Sequence, residues 1–264
     1  MLTPKDFVSR YANIGCGKVH APWKKLLLLS VLAGFFIAMG GAAAGTASYA
    51  ITNASTARII SGMLFPFGLI MVIFTGAELF TGNCLITISV LEKTCGPLEM
   101  FRNLLIVYVG NFAGAGLLAA AWVYSGQLEL SSGALAQAVV KTATAKCSLP
   151  FDRALILGIL CNILVCAAVM CASCAEDGAG RAIGALVPVV FFVICGFEHC
   201  VANMYYIPAG LLALSRYPSL MAELNTVDLT VMRFLLNNLF PVTVGNIIGG
   251  CGFAALIWVG HQKS

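Results

Sequence analysis

The chain has 264 residues, 60% of them hydrophobic and only 10% charged, with fifteen Lys and Arg against eleven Asp and Glu. A mean hydropathy of +0.94 excludes a soluble globular domain, which would have to leave large apolar patches in water. An integral membrane protein is expected, with the lipid bilayer as a partner and no role for nucleic acid.

About 20 apolar residues cross a hydrocarbon core of about 30 Å. Windows of that length predict six spans, Leu26 to Ile51, Ile59 to Leu91, Leu104 to Tyr124, Ala154 to Ala175, Ala182 to Leu214 and Phe234 to Gly260. The polar, basic stretch Met1 to Lys25 precedes a run too long for a signal-peptide core. Lys5, Arg10, Lys18, Lys24, Lys25, Lys93, Arg102, Arg181 and Lys263 fall on the N-terminal side of the membrane, against Arg58, Lys141, Lys146, Arg153, Arg216 and Arg233 on the other. That bias favours both termini in the cytoplasm of a prokaryotic cell membrane. A single channel domain over 1–264 is expected, made of an N-terminal segment 1–25, a first repeat 26–126 and a second repeat 152–260.

The second and fifth spans are too long for simple helices, and each contains the same interruption: Gly76-x-Glu78-x-x-x-x-Asn83 and Gly196-x-Glu198-x-x-x-x-Asn203. Carboxylates are penalised inside a bilayer, and broken backbone survives there only where protein or a water-lined cavity satisfies it. The third and sixth spans share Val-Gly-Asn-x-x-Gly, at Val109 to Gly114 and Val244 to Gly249. Two features recurring in the same order imply a duplicated three-span unit, and an odd number of spans inverts the second copy. The predicted fold is therefore all-α, six spans in two inverted repeats with broken second and fifth helices. Glu78, Glu198, Asn83 and Asn203 are expected to structure the breaks, the carboxylates accepting from freed backbone N–H groups or a helix N-terminus. Gly-x-x-x-Gly pairs at Gly41/Gly45, Gly110/Gly114, Gly180/Gly184 and Gly245/Gly249 suggest close helix packing.

Of three histidines, His20 precedes the first span and His261 follows the last, which leaves His199 alone within a span. A lone buried His is often a core residue, but beside a carboxylate in a membrane break it is a candidate functional group. One His cannot build a metal site, and Cys171-x-x-Cys174 has neither a second such pair nor a His beside it. The other cysteines of the spans read as small apolar side chains. No metal, cofactor or catalytic residue is expected.

Phe74-Thr75-Gly76-Ala77-Glu78-Leu79-Phe80-Thr81-Gly82, Cys161-Asn162-Ile163-Leu164-Val165-Cys166 and Gly196-Phe197-Glu198-His199-Cys200-Val201-Ala202-Asn203-Met204 resemble the formate/nitrite transporter family, which includes hydrosulfide channels. The resemblance runs over essentially the whole chain, with Ala167 standing where a larger aliphatic is expected. It implies an aquaporin-like protomer, assembled as a homopentamer with one pore per subunit, that carries small monovalent anions such as formate, nitrite or hydrosulfide. It also implies His199 at the pore centre with Thr81 facing it and Asn162 and Asn246 nearby. Phe65, Leu69 and Phe192 would form an outer constriction, and Leu79, Phe80 and Val165 an inner one. Lys146, expected in a loop before the fourth span, matches the family's lysine at the external approach. An aquaporin-like channel for neutral solutes is the alternative, but it would present Asn-Pro-Ala at both breaks, where Asn83-Cys84 and Asn203-Met204 stand. A haem-binding subunit would need paired axial ligands in the bilayer.

Overall fold

The computed structural model describes residues 1–261, which leaves Lys263 outside the described residues, and those residues form helices joined by short turns with no strand. In chain order the helices are α1 (Pro4–Val19), α2 (Trp23–Ser48), α3 (Ala54–Thr75), α4 (Phe80–Leu91), α5 (Pro97–Tyr124), α6 (Ala134–Cys147), α7 (Phe151–Cys174), α8 (Gly178–Cys195), α9 (Cys200–Arg216) and α10 (Val231–Gly260). Six of them, α2, α3, α5, α7, α8 and α10, are long and apolar enough to cross a membrane. The second and fifth spans are broken as expected, with α4 and α9 continuing α3 and α8 after a gap.

Each gap has the same construction. Gly76 (φ +66) and Gly196 (φ +73) adopt left-handed backbone, where glycine carries no Cβ penalty, and so end α3 and α8. Ala77 N then donates to Val72 O at 3.0 Å and Phe197 N to Phe192 O at 3.0 Å, closing the last turn. Helix resumes at Phe80 and Cys200. The breaks are therefore four residues long, and Asn83 and Asn203, expected inside them, stand in the first turns of α4 and α9. After Leu79 and His199 have turned the chain, Asn83 N and Asn203 N are the first amides to bond a carbonyl one turn back, Leu79 O and His199 O, each at 2.9 Å.

The two halves, α1–α5 and α6–α10, repeat each other helix for helix. α1 and α6 were not foreseen as members of the repeat: they are shorter than a span and partly polar, so an apolar window passes over them. α1 is amphipathic and seats Phe7, Val8 and Tyr11 against Leu85 and Ile88 under the broken span. Close packing of the third span on the first holds each half together. A Cβ at Gly110 or Gly114 would strike Ser30 or Val31 of α2, and one at Gly245 or Gly249 would strike Leu155 or Ile159 of α7. The start of the chain and the last turn of α10 share one face: the Met1 ammonium pairs with Glu176 at 2.6 Å, Trp258 Nε1 donates to Glu92 Oε1 at 2.7 Å, and Trp258 and His261 lie beside Lys5 and Val8 of α1.

Candidate functional site

The breaks expose backbone groups at membrane depth, and one asparagine in each half satisfies them. Asn111 Oδ1 accepts from Phe80 N at 2.9 Å, while its Nδ2 donates to Glu78 O at 2.9 Å and Ser30 O at 2.7 Å. Asn246 repeats this on Cys200 N at 2.9 Å, Glu198 O at 3.0 Å and Gly158 O at 2.8 Å. Both Nδ2 hydrogens of Asn246 are thus committed to backbone carbonyls, and its Oδ1 to a backbone amide. It is a backbone clamp, where the resemblance implied a residue of the pore centre. Asn162 is fully buried and donates to Asn246 O at 2.7 Å, so it braces the clamp.

The carboxylate side chains bond none of the freed N–H groups: Phe80 N and Cys200 N go to the two asparagines and Ala202 N to His199. Glu78 Oε2 accepts from Lys18 Nζ at 2.8 Å and Asn83 Nδ2 at 2.7 Å. Glu198 accepts from Lys146 Nζ at 2.8 Å and Asn203 Nδ2 at 2.6 Å. A further asparagine closes each cluster: Asn103 bonds Asn83 and Lys18 O, and Asn238 bonds Asn203 and Lys146 O. Lys146 accordingly lies in the last turn of α6, its side chain 17% exposed, and is no loop lysine; a buried carboxylate opposite draws the ammonium inward. Its ammonium also sits 5.3 Å from the Tyr206 ring centroid.

Lys18, Asn103 and Asn238 were missed in the sequence although a signal was present. Lys18 and Lys146 each stand four residues before a proline, Pro22 and Pro150, and Asn103 and Asn238 each lead an Asn-Leu pair eight residues before the clamp asparagine. Asn238 sits in a π-helical stretch, Phe234–Leu239, a distortion often found at functional sites.

At the centre, between the two clusters, His199 caps α9: its Nδ1 accepts from Ala202 N at 3.1 Å. In a neutral imidazole the proton then resides on Nε2, 2.8 Å from Thr81 Oγ1. The Thr81 oxygen accepts that bond, and its own hydroxyl proton is left to meet a solute. His199 and Thr81 are both buried, at 2% and 0% exposure. A second proton can enter the ring only at Nδ1, at the expense of the Ala202 bond.

Two vestibules approach this centre. The one on the α1 side, about 430 Å³, is lined by Lys18, Glu78, Leu79, Gly82, Asn83 and Leu69 among others. The one on the α6 side, about 230 Å³, is lined by Phe65, Phe192, Lys146, Glu198, His199 and Asn203 among others. Phe192 stacks on His199 with centroids 6.0 Å apart and meets Phe65 edge-on at 5.7 Å. Leu69, expected with these two, faces the α1-side vestibule together with Leu79. Phe80 turns its ring onto Tyr108 at 4.9 Å and lines an apolar hollow between α5 and α10. Val165 is buried in the core. Among the described residues no group of three His, Cys, Asp or Glu side chains comes together in a metal-binding arrangement.

Two broken spans meeting back to back around a polar pair, with a vestibule on either side, define a membrane channel or transporter for small solutes. The profile described as formate/nitrite transporter matches residues 5–260, and the chain belongs to that family of channels and transporters. Formate channel FocA of Haemophilus influenzae is 37% identical over 199 residues, covering 73% of this chain and 70% of that protein. A probable formate transporter of Methanothermobacter thermautotrophicus is 34% identical over 280 aligned positions, covering 99% and 97%. A solved pentameric formate channel with formate bound shares 31% identity at a TM-score of 0.80, covering 91% of this chain and 98% of its own.

Proposed function

We propose that the protein conducts small monovalent weak-acid anions, formate foremost and nitrite or hydrosulfide by the same chemistry, as a homopentamer with a pore in each subunit and both termini cytoplasmic. The observation that carries this reading is the Thr81–His199 pair, a buried hydroxyl and imidazole 2.8 Å apart between vestibules that each present a lysine. An anion stripped of water loses several kcal/mol or more, so the path must supply charge and donors where hydration ends. Lys146 gives one hydrogen bond to Glu198 and keeps donors for the vestibule, which suits it to drawing in an anion. Thr81 O–H, left free by the bond its oxygen accepts from His199 Nε2–H, then replaces water between the vestibules. An anion that takes up a proton crosses the apolar rings as the neutral acid, a route open to formic, nitrous and hydrosulfuric acids and closed to hydrochloric acid. The formate-bound, pentameric relative supports both the solute class and the assembly.

Proteoliposome flux of formate, nitrite, hydrosulfide and chloride at two pH values tests the reading. Weak-acid flux that rises at the lower pH, with little chloride flux, is expected. Equal flux of chloride and formate, or water flux without anion flux, contradicts it.

A further inference from the structure

A side chamber of about 90 Å³ lies behind the α6-side vestibule, between the C-terminal half of α2, α6 and α9, with Trp122 of α5 at its back. Gly45, Ser48, Thr142 and Tyr206 line both spaces, so the chamber is a branch of the vestibule. We propose that this chamber is a second binding site for a small monovalent oxyanion or its acid, a holding site beside the conducting path. The proposal rests on the functional reading above and adds a place where the solute waits.

Three observations carry it. Thr46 Oγ1 is buried without a hydrogen-bond partner, whereas the Ser48 and Thr142 hydroxyls donate one turn back, to Ala44 O at 2.8 Å and Ala138 O at 2.9 Å. A buried hydroxyl that forgoes its own helix's carbonyl needs a partner from elsewhere. Gly45 belongs to a Gly-x-x-x-Gly pair, yet only Gly41 packs, with a Cβ there meeting Tyr205 and Tyr206 at 3.1 Å; a Cβ at Gly45 would meet nothing within 4 Å. The glycine keeps space open at the junction instead of bringing helices together. Finally, no carboxylate lines the chamber, and the Lys146 ammonium lies 5.3 Å from the centroid of the Tyr206 ring that walls it. Aromatic edges carry partial positive charge, so Tyr49, Trp122 and Tyr205 suit an anion as well. At about 30 Å³ per water, the space takes about three waters or one planar anion of formate's size.

The test uses the full-length channel in proteoliposomes, with formate uptake measured against formate concentration on the α6 side. Thr46→Val removes the unpartnered hydroxyl at constant volume, and Gly45→Leu fills the chamber. Both should raise the half-saturating formate concentration about three- to tenfold, the worth of one hydrogen bond; for Thr46→Val, at a residue that lines the chamber and not the vestibule, the maximal rate should stay within about twofold of the parent. Thr46→Ser should restore the parent's concentration dependence. A cryo-EM map in sodium formate should show planar density in the chamber of the parent and none in Gly45→Leu. If both variants keep the parent's concentration dependence while the parent carries formate, the chamber holds water only and the inference falls. A parent that carries no formate overturns the functional reading instead.

Discussion

The two halves of this channel agree where they hold the fold and differ at the pair of side chains between them. Lys18, Glu78, Asn83, Asn103 and Asn111 in the first half have the same partners as Lys146, Glu198, Asn203, Asn238 and Asn246 in the second, save for one bond, from Lys18 to Asn83. At the centre the equivalence ends: Leu79 precedes α4 where His199 precedes α9, and Thr81 stands opposite Val201 in the alignment of the breaks. Each half thus supplies one polar group and one apolar group to the midplane. The scaffold requires symmetry because both breaks expose the same backbone groups, a constraint that the side chains facing each other at the centre do not share.

Breaking a clamp should have the largest effect, and about the same in either half. Asn111→Leu strands Phe80 N and Glu78 O, and Asn246→Leu strands Cys200 N and Glu198 O, each group costing about 1–3 kcal/mol. Loss of the assembled protein, read by size-exclusion chromatography and thermal unfolding in detergent, is expected from both. If only one half collapses, the equivalence is a likeness of geometry without one of energetics.

Removing either lysine comes next. Lys18→Met and Lys146→Met leave a mostly buried carboxylate unpaired, at about 3–5 kcal/mol. The Lys146 variant should be the worse, because Glu198 is 7% exposed and Glu78 11%. Adding Glu78→Gln or Glu198→Gln to the matching variant should recover much of the loss, as thermal unfolding would show. A charge reversal such as Lys146→Glu would set two carboxylates together and so report on assembly before it reports on anion entry.

A smaller effect should separate the halves. Asn83 Oδ1 accepts from Lys18 at 2.9 Å, whereas Asn203 Oδ1 is buried without a partner. Asn83→Leu therefore loses a charge-assisted bond that Asn203→Leu does not, and should be less stable by about 1.5–3 kcal/mol. Equal losses would show that Asn203 Oδ1 has a partner of its own, such as an ordered water.

The spans, the breaks and the repeat were legible because membrane depth allows few polar residues, so a Gly-x-Glu or a Gly-Asn inside an apolar run stands out. Lys18 was not, since it lies in a polar stretch where lysines are ordinary, and only its fourfold spacing to Pro22 marks it as the partner of Lys146. The roles of Glu78 and Glu198 were read wrongly in detail, because sequence shows which groups a break frees and not that Asn111 and Asn246 reach them first. Phe80 sits in a motif and Leu69 five residues before it, and which wall each ring or branch faces depends on helix rotation, which no motif encodes.

The smallest predicted effect lies in how the outer helices are fastened. α1 has a capping box, with Thr3 Oγ1 accepting from Asp6 N, and its start is tied by the Met1–Glu176 pair; α6 begins at Gly133 with no side-chain cap. Hydrogen bonds from Thr3 hold the Asp6 carboxyl below its usual range, and the Met1 ammonium, by hydrogen bond and charge, does so for Glu176. Groups lowered in the folded state stabilise it above their ordinary values, near pH 4, and lose that contribution as pH falls through the lowered ones. Hydrogen exchange at the first turn of α1 should quicken as pH drops below about 4 relative to the intrinsic rate, with no matching change in α6. An equal change in both helices would place the cause elsewhere.

The central claim is that the asymmetric pair His199 and Thr81 gives the channel its weak-acid chemistry. His199→Asn keeps a polar cap for α9 and removes the titrating ring, so its pH profile of formate uptake in proteoliposomes is the direct measurement. The assembled variant should conduct formate with a flattened pH dependence. If it conducts with the parent's profile, His199 is a structural cap only and the proposed proton chemistry is wrong.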